Sequence, residues 1–162
     1  MGMTDQEIDE GPSYYIDTSW FDANNLSFTD IAQARMCESC RARLGEDVED
    51  RQPVFDRTVG RMSFEVRRDS YGSNPIEVIR ECCARKKSYI STDMGTLEVV
   101  FRIFLANGNQ PLSLGQVREQ LQEWCAGGGC QWLLLSDEQL ARVLSQDNYY
   151  GLRQREMPAV AA

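Results

Sequence analysis

Four of the six cysteines fall into two tight pairs, Cys37-Glu38-Ser39-Cys40 and Cys82-Cys83. Two thiolates on one C-x-x-C turn can grip a single ion while backbone N–H groups support the sulfurs. The second pair follows about forty residues later, and four thiolates together would close a Cys₄ zinc shell. The chain contains no histidine. A complete protein-only zinc site must therefore be all-cysteine or cysteine plus carboxylate. A closed Cys₄ shell leaves no position for water activation, so zinc held by Cys37, Cys40, Cys82 and Cys83 would be structural. The adjacent pair poses a geometric problem, because neighbouring side chains diverge by about 100° on a helix and lie on opposite faces of a strand. Both can reach one ion only if their helix frays at its last turn. Otherwise one ligates, and an acid or a water completes the shell. Buried reduced cysteines, an iron–sulfur centre and a redox pair are the alternatives. The last of these needs an exposed, low-pKa thiol near cations, and Arg85, Lys86 and Lys87 do follow the second pair. Cys125 and Cys130 flank the loop Ala126-Gly127-Gly128-Gly129 and read as two small hydrophobes. A disulfide or a weak second metal clamp stays open for them.

Other chemistry has little to work with. Lack of histidine excludes Ser-His-Asp and Cys-His machinery. No phosphate-cradling or nucleophile-elbow motif occurs, and Gly127-Gly128-Gly129 lacks a following lysine and a preceding strand. No carboxylate pair is singled out for acid–base work, and no small-molecule substrate is indicated. The expectation is a protein that is not an enzyme.

The elements that must position the cysteines follow from the pattern. Asn74-Pro75-Ile76-Glu77 is a helix start, with Asn74 capping and Pro75 where its missing N–H costs nothing. That helix carries Ile76, Ile79 and Cys83 on one face and is expected to end among Arg85, Lys86 and Lys87. Between the two pairs, residues 45–52 are acidic and polar and read as a loop. Residues 54–57 and 61–67 read as strands joined around Val59-Gly60, because Met62, Phe64 and Val66 alternate with polar residues. Upstream, Tyr14 to Ile16 is a short extended piece, and Ser27 with Asp30 starts a short helix towards Met36. The aromatics Tyr14, Tyr15, Trp20, Phe21 and Phe28 are expected to pack on the rest of the protein. Downstream, Leu97, Val100, Phe101, Phe104 and Leu105 form one helical stripe. Ser113/Gln116 and Ser136/Gln139 are capping boxes for two more helices, and a turn after Asn148 leads into a short strand.

The fold class expected is α+β. The segment 36–92 resembles a zinc ribbon and 93–155 resembles a winged helix, packed together. Residues 1–35 are an acidic leader and aromatic arm with a short helix, and 156–162 a disordered tail. In a winged helix the third helix enters the major groove, here Ser136 to Gln146, whose exposed set Asp137, Glu138, Gln139, Arg142, Ser145 and Gln146 is acidic. Phosphates need Lys and Arg, so bare DNA is a poor partner for it.

Charge is uneven across these parts. The 162 residues hold 25 acids and 17 bases, net −8. Residues 1–35 carry −6, 36–92 carry +1 and 93–162 carry −3. The cations that could grip nucleic acid are Arg61, Arg67, Arg85, Lys86 and Lys87, although a solvated strand face is the preferred reading of the first two. No stretch is apolar enough to span a membrane, and the acidic start does not read as a secretory signal. These features point to a cytoplasmic, metal-binding adaptor or regulatory protein whose acidic surface favours a protein partner. A nucleic-acid-binding regulator and a thiol redox switch are the alternatives.

Overall fold

The computed structural model describes residues 11–155, with only the backbone described at Asp50 and Arg67. The expectations for the leader at 1–10 and the tail at 156–162 lie outside the described residues. The chain is α+β.

The N-terminal arm opens with strand β1, Ser13–Ile16. Helix α1, Thr18–Ala23, follows, with the Asp17 carboxylate accepting the Ser19 N–H. Helix α2, Phe28–Gln33, starts as the sequence suggested, with the Ser27 hydroxyl accepting the Asp30 N–H at 3.2 Å. One turn of helix, α3 at Glu38–Arg41, carries the first cysteine pair. Strands β2, Asp47–Asp56, and β3, Arg61–Ser70, form an antiparallel ribbon in which Asp47 opposes Ser70 and Asp56 opposes Arg61. The residues at 45–52 expected as a loop are thus strand from Asp47 onward. The period-2 signal was missing there because residues 47–52 are polar or charged apart from Val48, so no apolar alternation runs through them. Helix α4, Pro75–Glu81, begins with Pro75 in its first turn, but Asn74 makes no capping bond to the backbone. Its side chain meets Glu77 instead, at 3.4 Å.

The C-terminal segment contains α5 (Thr96–Ala106), β4 (Leu112–Ser113), α6 (Leu114–Glu123), α7 (Asp137–Ser145) and β5 (Leu152–Arg155). Both capping boxes form, at Ser113 with Gln116 and at Ser136 with Gln139. The strands do not pair with each other. β1 of the arm lies between them, giving a three-stranded antiparallel sheet of order β4-β1-β5. Asn109, at φ 57°, extends that ladder with its side chain: its amide oxygen accepts from Ile16 N and its amide nitrogen donates to Ile16 O.

One apolar core runs through all three segments. Tyr14, Ile16 and Phe21 of the arm, Ile79 and Cys83 of the middle, and Val100, Phe104, Leu121, Trp132 and Leu144 all belong to it. The arm aromatics Tyr14 and Phe21 are buried as expected, and Trp20 and Phe28 pack against the core. α5 is buried more completely than its stripe implied, since Val99 and Ile103 are also covered. Its two charged residues, Glu98 and Arg102, form an ion pair that also engages Arg35.

The ribbon is the exception. Met62, Phe64 and Val66 alternate as a strand should, yet all three are exposed, together with Phe55 and Val59. The alternation identified the strand correctly, but its apolar face does not join the core. Among the described residues, no helix is long and apolar enough to cross a membrane.

Candidate metal centre

Cys37 is the residue before α3, in an extended conformation, and Cys40 lies one turn on. That places both thiols on the same side of a short knuckle. The second pair reaches the same point because α4 stops at Glu81 rather than among the following cations. Cys82 leaves helical geometry, with φ −125° and ψ −65°, and Cys83 opens a 3₁₀ turn, Cys83–Arg85. The early end of the helix removes the roughly 100° divergence that would separate adjacent side chains. The four sulfurs lie within 4.8 Å of one another. In a tetrahedral zinc site with Zn–S bonds of about 2.3 Å, the sulfurs would be about 3.8 Å apart, so a small contraction closes the shell.

Surrounding groups hold the thiols in place. The Cys37 N–H donates to Cys83 Sγ at 3.1 Å. Lys86 Nζ lies 3.1 Å from Cys37 Sγ and 3.1 Å from Ser39 Oγ, and Ser39 Oγ is 3.3 Å from the same sulfur. Tyr71 shares a hydrogen bond with Cys40, and the Arg43 guanidinium stacks on its ring at 4.1 Å. Gly72 anchors the ribbon here. Its φ is +85°, and a Cβ would sit 2.3 Å from Leu44 Cδ2. Its carbonyl also accepts from Gln33 Nε2 at 2.8 Å. The left-handed backbone at Gly72 favours glycine where the chain leaves β3 beside the knuckle.

The electrostatics is that of a crowded thiol set. Burial opposes ionisation of Cys37, but hydrogen bonds from Ser39, Lys86 and the Cys40 backbone outweigh it and bring the thiol down to about 5. Burial is the main cause that pushes Cys83 up to about 12. Cys82 is raised by its hydrogen bond with Cys40, by burial and by the neighbouring sulfur charges. Four thiolates this close repel one another. A divalent cation at their centre is the chemical species that relieves the repulsion and lets all four ionise.

Lys86 was expected near the second cysteine pair but reaches Cys37 of the first, and the approach of Tyr71 to Cys40 was not expected. Tyr71 stood out only as part of a turn. Their approach depends on where α4 ends and how the ribbon closes, which the sequence pattern does not specify.

The remaining candidates behave differently. Cys125 and Cys130 form a disulfide, with Cα atoms 6.2 Å apart, which corrects the reading of two small hydrophobes. The glycine-rich loop brings its ends within bridging range. The cations named for nucleic acid do not converge. Arg61 is exposed at the turn end of the ribbon, about 30 Å along β3 from its base at ~3.4 Å per residue. Arg85 and Lys87 are exposed beyond α4, Lys86 is engaged at the thiols, and the Arg67 side chain lies outside the described residues. On α7 the exposed residues are the acidic set expected, with Asp137 paired to Arg118 at 2.6 Å. A cleft of about 290 Å³ opens beside Cys37 and Cys83, but the Arg35 and Arg102 side chains that line it are both paired with Glu98.

No protein-family model, curated protein or solved structure matches the chain.

Proposed function

We propose that this chain is a metal-stabilised adaptor or regulatory protein that binds another protein, with structural zinc held by Cys37, Cys40, Cys82 and Cys83. One observation carries the reading: four sulfurs from two distant segments lie within 4.8 Å. A four-thiolate zinc shell is closed, so the metal would join α3, α4 and the base of the ribbon rather than activate water. The exposed apolar residues of the ribbon support a binding role. The net charge of −8 favours basic partners over bare DNA.

Cobalt substitution tests the metal reading. The protein with Co²⁺ in place of its native metal is expected to show the ligand-field and sulfur-to-metal charge-transfer absorption of a tetrahedral tetrathiolate. Loss of the charge-transfer intensity in Cys82→Ser and in Cys83→Ser separately establishes that both adjacent cysteines ligate. A spectrum unchanged by either substitution rejects the four-cysteine shell. The close approach of Lys86 to Cys37 favours a thiol switch as the second reading. That reading predicts rapid, reversible oxidation by mild peroxide in the metal-loaded protein, whereas a closed zinc shell predicts inert thiols.

A further inference from the structure

The β2–β3 ribbon carries most of its apolar side chains on one face. Residues directly opposite in an antiparallel pair share a face. The pairs Phe55–Met62, Pro53–Phe64, Arg51–Val66 and Glu49–Arg68 therefore form four successive rows. The first three rows are apolar except for Arg51. Their exposures are 56% for Phe55, 62% for Met62, 69% for Phe64 and 53% for Val66. That amounts to an apolar patch on the order of 400–500 Å², as large as the largest patch on a typical monomer. A two-stranded ribbon gains little from its own packing, so ten-residue strands presenting this face to water need a cover.

We propose that the cover is a second copy of this chain, packed ribbon on ribbon about a two-fold axis. The proposal takes up the reading of the ribbon as an interaction surface and names its occupant. An axis lying between the faces, perpendicular to the strands and passing through the Pro53–Phe64 row, stacks β2 on β2 and β3 on β3. Phe64 then meets Phe64 of the second copy, and Val66 meets Met62. Arg51 lies over the Phe55 ring, a cation–π arrangement. Glu49 faces the turn position of Arg57, which pairs opposite charges at both ends of the contact. The self-complementarity required of a two-fold interface is thus present in the sequence of one ribbon. Stacking two such faces removes on the order of 1,000 Å² in total, at the lower limit for a specific interface. Such an area fits a reversible dimer.

Sedimentation equilibrium of the full, metal-loaded chain from about 1 to about 200 μM covers the range expected for an interface of this size. The mass should rise from 18.5 kDa towards twice that value. Phe64→Asp, a change at an exposed side chain, should stay monomeric throughout with its metal content unchanged. Glu49→Arg should weaken association at least tenfold, and Glu49→Arg combined with Arg57→Glu should restore it. A wild-type chain that remains monomeric at the highest concentration overturns the proposal, as does a folded Phe64→Asp chain that dimerises like wild type. Failure of the charge swap to restore association overturns the stacking register. Metal content measured on the same samples reports separately on the cysteine site.

Discussion

Cys82 and Glu98 are the two residues whose local geometry decides how the cysteine cluster and the core are held. Two adjacent cysteines can share an ion only if the backbone turns between them, and the non-helical dihedrals of Cys82 supply that turn. The cysteine spacing itself was legible in the sequence, as were the capping boxes at Ser113 and Ser136. The role of Glu98 was not. It sits on a helix whose apolar stripe dominates the pattern, and its partner Arg35 comes from a different segment. Burial opposes ionisation of Glu98, but Arg35 and then Arg102 hold its carboxyl below the usual range. A depressed carboxyl adds stability above its unfolded pKa, and that contribution disappears as pH falls through the folded value. Glu98→Gln leaves two largely buried guanidiniums without their anion and should cost about 3 kcal/mol at neutral pH. Urea titrations of wild type and variant should therefore differ at pH 7 and converge in acid. An equal difference at both pH values would contradict the pairing.

Among the elements, those with a regular apolar period were legible in the sequence whether or not that face is buried, and those without one were not. The strand at Met62–Val66 was recognisable because apolar and polar residues alternate. Its extension through Asp47–Gln52 was not, because five of those six residues are polar or charged, and charge contributes to the pairing there, as in Glu49 with Arg68 at 3.8 Å. The end of α4 was placed too late because the cations at 85–87 resemble a C-terminal charge cluster. The α-helical geometry instead ends where the thiols must turn inward. The arm strand β1 was found, but its place between β4 and β5 depends on long-range pairing that local pattern does not encode. At the junction of ribbon and knuckle, Gly72 is the sensitive point. Gly72→Ala forces a side chain into left-handed backbone and against Leu44, a cost of about 2 kcal/mol. Its metal should also pass to a competing chelator faster than in wild type, because the base of β3 can no longer close over Cys40. Unchanged chelator kinetics would show that the ribbon does not support the site.

For the whole molecule, the uneven charge and the single core belong together. The middle segment is the one without an acidic excess, and it contains both cysteine pairs and the exposed ribbon. Much of it stands outside the core: among the described side chains of the ribbon, only Val48 and Asp56 are even partly covered. A segment that buries so little needs another source of stability, and a metal held by the four cysteines would provide one. The core contributes Ile79 and Cys83 to one side of the knuckle, and the metal would tie down the other. The disulfide between Cys125 and Cys130 lies in the C-terminal segment, leaving four free thiols among the described residues. The most direct test of this account is the mass of the intact chain under native conditions after purification without added metal. One tightly bound zinc per chain, lost when Cys40 is replaced by serine, is the predicted result. A chain that carries far less than one equivalent of any metal while remaining folded would contradict it.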